Sequence, residues 1–504
     1  MQPSIEQRLA RLILGQDIAS ILMSDAYKFA MAQAGFALRR EKFVLAFRKG
    51  DGPYYIPVDL AAVVQHLLPA LPSSKEAGFL AANGYPMTTA MEKAIETRNL
   101  TVLCPQKGSW IAPKEPVLTT EGPSFLASWP EWALISLQYA CQIATAMKHG
   151  ETEFHATCED EADIIRLMAE AVFVGQDPAL SVIIHIDEDG YRERVRTNIK
   201  AVIKALGGEA HRAFEVGMRA ATCMQQHLMV LEECKALGIQ KTSNVFGAWK
   251  LYMIPVGTTG HEHQMRWDAI GGCVGNDMPG FEAIRDMRPE PPSYLFDTFK
   301  PEKGIIGALR VIAEDLLRVC TMRFDSGDQD SQAKQIVQGY TQLVKNQRDY
   351  LLSLLFEDSY NAEKTEKNEK YCDEVLHWPR ERRMYGYGGF FVSQPHITPH
   401  NRDKASAAYK LACTGGVPVR KHSGTPAKSS LPGNPIILEI IGGGHGFPTF
   451  VRHMIAQEGE VLTDEFYYDG WAPCKPLTFI PKEIHTIFSP QTQALIDQLD
   501  KKAA

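Results

Sequence analysis

The sequence predicts an α/β protein built around a parallel sheet that curls into a closed or nearly closed barrel. Three observations predict it. From about residue 150, helical patterns alternate with short apolar strands, the rhythm of βα units. The strand candidates are Ala213–Val216, Thr242–Val245, Leu251–Val256, Tyr294–Phe299, Met322–Phe324, Leu352–Phe356 and Arg383–Tyr387, and the apolar run Leu251–Val256 reads as a buried strand of a parallel sheet. About seven such units over roughly 250 residues match the size of one barrel.

The remaining elements follow in order. Residues 1–34 read as helical, with Ser24 and Asp25 capping Ala26–Ala34. Phe43–Phe47 reads as a strand before the turn Gly50-Asp51-Gly52-Pro53, and residues 58–98 hold helical pieces. Residues 101–122, broken by Pro105, Pro113 and Pro116, suggest a small β layer, followed by a helix from Trp132 to Met147. Residues 361–381 are rich in lysine and glutamate and read as a solvated helix with its loop. From Val417 onward the chain is rich in Pro, Gly and short strands, and is expected to return to the N-terminal β layer.

Composition narrows the function. The 504 residues are 45% hydrophobic and 22% charged, ample for a core. The net charge of −7, without a lysine or arginine block, argues against nucleic acid or an anionic membrane as partner. Ten scattered cysteines without a C-x-x-C pair read as reduced thiols. Met1–Leu14 lacks the apolar core of a signal peptide, and no apolar run approaches the roughly 18 residues of a membrane span. The expected location is the cytoplasm.

The chemistry-bearing residues cluster at predicted strand ends, where α/β sheets build their sites. Gly257-Thr258-Thr259-Gly260-His261 puts an imidazole beside donor-rich backbone, suited to accepting a phosphoryl group or to acid–base work. In Met322-Arg323-Phe324-Asp325-Ser326-Gly327-Asp328, the Arg323 fork suits phosphate oxygens, and Asp325 suits ribose hydroxyls or a water-bound magnesium ion. Gly388 and Gly389, after Tyr385–Tyr387, let backbone N–H groups approach a phosphate. Arg219, Ser243 and Asp297 follow three further strands. Each motif alone is as well read as a structural brace or tight turn. Together, Arg219, Ser243, His261, Asp297 and Arg323/Asp325 at five successive strand ends describe a site for a substrate with several negative charges. His261 and His263 as metal ligands of a hydrolase is a remote alternative, since no third ligand stands at a persuasive spacing.

The order of these motifs resembles the nicotinate phosphoribosyltransferase family, a group of type II phosphoribosyltransferases. The resemblance runs from Ser24–Ala34 through Phe47-Arg48-Lys49, Glu215–Arg219, Thr242–Val245, Gly257–His261, Phe296-Asp297-Thr298, Arg323–Asp328 and Tyr385–Gly389. It continues to Tyr409-Lys410-Leu411, Lys421-His422-Ser423, Lys428 and Pro432-Gly433. It implies an irregular, TIM-like α/β barrel over residues 149–405, an N-terminal α/β domain over 1–148, and a C-terminal segment, 406–504, returning to that domain. It implies a homodimer with shared sites, in which Tyr27 stacks on the pyridine of the neighbouring subunit. The implied reaction joins nicotinate to phosphoribosyl pyrophosphate, giving nicotinate mononucleotide and pyrophosphate, with ATP as co-substrate and Mg2+ required. This is the first step of NAD salvage from nicotinate, and the coupling to ATP places it among ligases.

In that chemistry His261 is the histidine that ATP phosphorylates. Arg323, Asp325, Gly388, Gly389 and Arg402 hold the phosphoribosyl group, while Tyr27, Arg219 and Ser243 meet the base. Nicotinamide-using relatives carry an aspartate where Ser243 stands, which favours nicotinate here. Ala220, Val216 and Glu357-Asp358-Ser359-Tyr360 depart from the family pattern. A nicotinamide-using enzyme and a catalytically silent scaffold are the alternatives.

Overall fold

The chain, seen in a computed structural model that describes residues 3–50, 52–173, 182–344, 351–393, 405–421, 429–444, 447–460, 472–477, 480–481 and 483–503, folds as a mixed α/β protein. It opens with a helix, Ile5–Leu14, capped by the Ser4 hydroxyl and ended by Gly15 in the left-handed conformation at φ 69°. A second helix, Ala26–Gln33, starts after Asp25. Strands β1 (Arg40–Ala46), β2 (Tyr54–Tyr55), β3 (Thr101–Leu103), β4 (Trp110–Ile111) and β5 (Pro116–Pro123) follow, with three helices between β2 and β3. The long buried helix Glu131–Lys148 leads to a parallel pair, β6 (Glu153–Ala156) and β7 (Ile183–Ile186).

The central sheet is made of β8 (Ala213–Glu215), β9 (Lys241–Thr242), β10 (Ile254–Pro255), β11 (Ser293–Leu295), β12 (Cys320–Phe324), β13 (Leu352–Phe356) and β14 (Arg383–Tyr387). Its order is β10-β9-β8-β14-β13-β12-β11 and every pairing is parallel. Parallel order places all seven carboxyl ends on one rim. Among the described residues β10 and β11 do not pair, and the Thr259 hydroxyl reaches across to the Ser293 carbonyl at 3.5 Å. The sheet is therefore a curled, open parallel sheet. Stacked rings of Phe324, Phe356 and Tyr385 fill its middle, with centroids 4.6 and 5.5 Å apart.

The later strands divide. The antiparallel strands β15 (Ala408–Thr414) and β16 (Val417–Pro418) extend the N-terminal sheet, in the order β16-β15-β1-β5-β3. Strands β17 (Pro435–Gly444), β18 (Phe447–Gln457), β19 (Ala472–Pro473) and β20 (Ile484–Phe488) make a separate four-stranded sheet beside β5. No helix among the described residues is long and apolar enough to cross a membrane.

Several expected elements differ. The run expected as a strand at Leu251–Val256 shrinks to Ile254–Pro255, because the Asn244 side chain caps a helix over Val245–Leu251 by accepting from the Gly247 N–H. Short apolar runs serve a strand and a buried helix equally. The same cap ends the expected Thr242–Val245 strand at Thr242, and Tyr294–Phe299 is a strand only to Leu295. Asp25 occupies the N-cap position of the second helix without capping it, since its carboxylate accepts from the Ser243 hydroxyl at 2.6 Å. Ser24 donates instead to the Trp129 carbonyl.

Candidate active site

The rim of carboxyl ends carries the site. Its foundation is Glu215, fully buried at the end of β8. Its carboxylate accepts from the Gly217 N–H, the Thr242 hydroxyl and His227 Nε2. That network fixes the tips of β8 and β9 together, and with them Arg219 and Ser243. A Cβ added to Gly217 would lie 2.9 Å from the Gly388 carbonyl oxygen, so glycine lets the tips of β8 and β14 approach.

Three cavities line this rim and share Arg219 and Arg323 in their walls. One of about 60 Å³ is bounded by Tyr27, Glu131, His261, Asp325 and Lys410. A second, about 160 Å³, is walled by Asp25, Tyr27, Phe214, Ser243 and Thr258. The third, about 640 Å³, runs over Gly388 and Gly389 to Arg194 and Asn198. Of the nine residues expected in the site, eight therefore meet on one rim: Tyr27, Arg219, Ser243, His261, Arg323, Asp325, Gly388 and Gly389. Arg402 lies outside the described residues, as do His422, Ser423 and Lys428.

His261 is the first residue of the helix His261–Ile270 and is buried. Its Nδ1 lies 3.2 Å from the Thr298 hydroxyl and 4.0 Å from Asp297. Its Nε2 lies 3.1 Å from Asp325 and receives Lys421 Nζ at 2.6 Å. One ring nitrogen cannot accept from the ammonium and donate to the carboxylate at once. With Nδ1 carrying the proton toward Thr298, Nε2 offers its lone pair to Lys421. Burial and the Lys421 charge lower the imidazole's pKa, against the opposing pull of Asp297 and Asp325. A neutral ring with a basic Nε2 is the form a phosphoryl acceptor needs.

Arg323 is held by its own protein. Nε and Nη2 meet Glu357, Nη1 donates to the Thr258 hydroxyl and the Thr259 carbonyl, and Nη2 also meets Asp325 at 3.2 Å. Every N–H of the guanidinium thus has a partner. Burial pushes the Asp325 carboxyl up, but His261, Arg323 and Lys421 outweigh it and hold the group well below the usual range. Burial raises Glu357 despite Arg323.

Tyr27 and Arg219 share one network. The Tyr27 hydroxyl donates to Glu131, which also pairs with Lys28 at 2.7 Å and Arg219 at 3.4 Å. The Arg219 guanidinium lies 5.9 Å from the Tyr27 ring centre and 3.8 Å from Asp25. Resemblance implied that Tyr27 serves a neighbouring subunit. Here it lines the cavities of its own chain, because Gly257 and Gly260 let the turn before His261 pack on the Tyr27 backbone and ring. Phe214 and Val216 both line the second cavity, since alternate residues of a strand share a face, and Phe214 supplies its aromatic wall.

Sequence reasoning missed Asp25, Glu131, Glu357, Lys410 and Arg194 as members of the site. Lys410 is pushed down to about 7 by burial, with Lys421, Arg219 and Arg48 adding to the effect and Glu131 opposing it. Asp25 and Lys410 stood inside motifs already singled out, so their signal was present. Glu131 and Arg194 lie within helices and had none.

A rim that gathers cations, an imidazole and a paired-glycine turn at the tips of parallel strands has the groups that a multiply charged anion would need. No protein-family model matches the chain. The nicotinate phosphoribosyltransferase of Methanosarcina acetivorans is 25% identical over 221 residues, which are 43% of this chain and 51% of that protein. The chain thus spans about half the length of the curated relatives it matches. The crystal structure of nicotinate phosphoribosyltransferase from Porphyromonas gingivalis has the same fold, with a TM-score of 0.59 at 18% identity, covering 82% of this chain and 96% of that one. The corresponding Vibrio cholerae structure gives 0.59 at 16% identity, over 83% of this chain and 92% of that one. The chain is thus similar over part of its length to nicotinate phosphoribosyltransferases and shares the fold of their solved structures.

Proposed function

We propose that the protein transfers a phosphoribosyl group from phosphoribosyl pyrophosphate to nicotinate, with ATP hydrolysis coupled through His261. The observation that carries this reading is the sharing of Arg219 and Arg323 by three cavities: one beside His261, one beside Tyr27 and Ser243, and one over Gly388 and Gly389. The planar base enters the 160 Å³ cavity against Tyr27 and Phe214. The sugar phosphate lies over Gly388 and Gly389, where Arg194 adds a cation. Departure of pyrophosphate builds positive charge on the sugar and negative charge on the leaving group. Asp325 faces the first, and Arg219, Lys410 and Lys421 are placed for the second.

Arg323 acts first by holding Asp325 and the turn before His261, and contacts phosphate directly only when it exchanges a carboxylate partner. Asp297 has one buried carboxylate oxygen without a hydrogen-bond partner, and His261, Asp297 and Asp325 converge on one point. These oxygen donors fit Mg2+, which Asp297 and Asp325 would hold directly or through water. The ion would neutralise charge on the phosphates. A homodimer belongs to the reading as well.

One observation favours nicotinamide as the base. Asp25 places a carboxylate 2.6 Å from the Ser243 hydroxyl, inside the cavity where serine was argued to remove one. Arg219 beside it offsets that charge. Mass-spectrometric product analysis with nicotinate, nicotinamide and quinolinate together, with and without ATP, decides between the bases. Nicotinate mononucleotide as the ATP-stimulated product supports the reading, and absence of any mononucleotide overturns it in favour of a silent scaffold.

A further inference from the structure

Far from the rim, Glu439, His453 and Cys474 form a second polar cluster that the proposed reaction does not use. Glu439 on β17 and His453 on β18 are direct antiparallel partners, which brings their side chains to one spot on one face. Cys474 follows β19, whose Ala472 pairs with Glu439. All three side chains are buried, His453 completely. His453 Nε2 lies 3.2 Å from Glu439 Oε2, Cys474 Sγ lies 3.7 Å from the same oxygen, and Sγ lies 3.9 Å from Nε2.

We propose that Glu439, His453 and Cys474 bind a structural zinc ion. With Zn–N and Zn–O of about 2.1 Å and Zn–S of about 2.3 Å, a tetrahedral ion separates its ligands by about 3.4 Å for N···O and about 3.6 Å for S···N and S···O. The observed triangle is already that size to within a few tenths of an ångström. Its mixed nitrogen, sulfur and oxygen donors suit zinc and disfavour magnesium or calcium.

The surroundings are those of a metal-ligating histidine. Glu115 lies 2.9 Å from Nδ1 on the far side of the ring, so Nδ1–H donates there and Nε2 faces the other two ligands. Glu115 is itself held by the Ala112 N–H and the Thr486 hydroxyl. The buried Ser109 hydroxyl faces the Cys474 thiol and is, with a water, the candidate fourth ligand. Glu115 follows β4, so the ion fastens the C-terminal sheet to the N-terminal layer. Loading it releases the thiol proton and any proton carried on Nε2, so affinity rises with pH. A proton on His453 between two carboxylates is the competing state, and the two differ in whether metal is retained.

The test uses the full chain, stripped with chelator, reloaded with Zn2+ or Co2+ and desalted. One zinc per chain is expected by elemental mass spectrometry, along with a Co2+–thiolate charge-transfer band and the visible bands of tetrahedral cobalt. Cys474→Ser abolishes the thiolate band, whereas Asp325→Asn at the rim leaves it intact. Zinc removal lowers the melting temperature of the wild-type chain, a readout that needs no variant. Failure of the wild-type chain to retain zinc and to give the cobalt–thiolate band overturns the proposal, as does a band that survives Cys474→Ser. None of these outcomes depends on phosphoribosyl transfer.

Discussion

His261→Ala separates a bracing imidazole from one that takes part in chemistry. The side chain is 7% exposed and meets Thr298, Asp325 and Lys421. As a brace alone, its loss removes two hydrogen bonds at about 1 kcal/mol each, roughly 2 kcal/mol in all. That would lower the melting temperature by no more than about 2–4 °C per kcal/mol in a chain of this size and leave ATP coupling intact. As the phosphoryl acceptor, its loss abolishes nicotinate-stimulated ATP hydrolysis while slow, ATP-independent transfer persists. The assay is ADP release with and without nicotinate, alongside mononucleotide formation. The pH profile adds a second check. The reactive form is the neutral ring, populated above its pKa, and burial with Lys421 moves that pKa below the ordinary 6.5. Coupled hydrolysis should therefore hold level as the pH falls to 6.5 and decline only beneath it. Full coupling in His261→Ala refutes the assignment.

Asp325→Asn keeps the size but removes the charge facing Arg323 and His261. A charged hydrogen bond of about 1.5–3 kcal/mol corresponds to a rise of roughly tenfold or more in KM for the phosphoribosyl donor, and an unchanged KM removes Asp325 from the donor site. Asp25→Asn takes the carboxylate away from Ser243, so kcat/KM should shift toward nicotinate and away from nicotinamide. An unaltered ratio in competition places Asp25 outside the base cavity. Asp277 is buried, and burial together with Asp297 and Asp268 raises its pKa well above the ordinary value against the opposing pull of the Thr298 hydroxyl. A carboxyl raised in the folded state destabilises progressively as pH climbs above the unfolded value of about 3.9. Asp277→Asn should thus stabilise the chain by about 1 kcal/mol or more at pH 7, with the gain vanishing below about pH 4, as thermal melts across pH will read. Destabilisation at pH 7 would mean that Asp277 holds a cation.

Local pattern carried the strands best where it was unambiguous. Leu352–Phe356 and Arg383–Tyr387 begin and end where the sequence pattern places them, and both are buried along most of their length. It failed at Leu251–Val256, where one hydrogen bond from Asn244 to Gly247 decides for a helix, and no periodicity of the apolar residues encodes that bond. The parallel pair Glu153–Ala156 and Ile183–Ile186 was not among the expected strands; its second strand carries the apolar residues Ile183, Ile184 and Ile186 yet is largely exposed. Strand ends made His261, Arg323 and Asp325 legible. Asp25 reaches Ser243 across 218 positions and Lys421 reaches His261 across 160, contacts set by tertiary packing alone.

Those long-range contacts change how anion binding at the rim must work. Arg219, Arg323, Lys28 and Lys421 are not free charges awaiting phosphate, since each already faces Glu131, Glu357, Glu262, Asp325 or His261. Leaving such cations unpaired in a buried site would cost several kcal/mol, so the internal carboxylates keep the empty rim stable. On the proposed reading, an entering polyanion would exchange partners: Lys421 would turn from His261 to a phosphate oxygen and free Nε2 as a nucleophile. The lone pair that His261 shares with Lys421 at 2.6 Å would then be gated by occupancy of the neighbouring subsite. The two halves of the proposed reaction would couple through this exchange of partners. Lys421→Met tests this gate. Removing the ammonium leaves Nε2 open in the empty site, so ATP hydrolysis should proceed without nicotinate and its stimulation by nicotinate should shrink toward onefold. Stimulation as large as in the wild-type chain would show that the gate lies elsewhere.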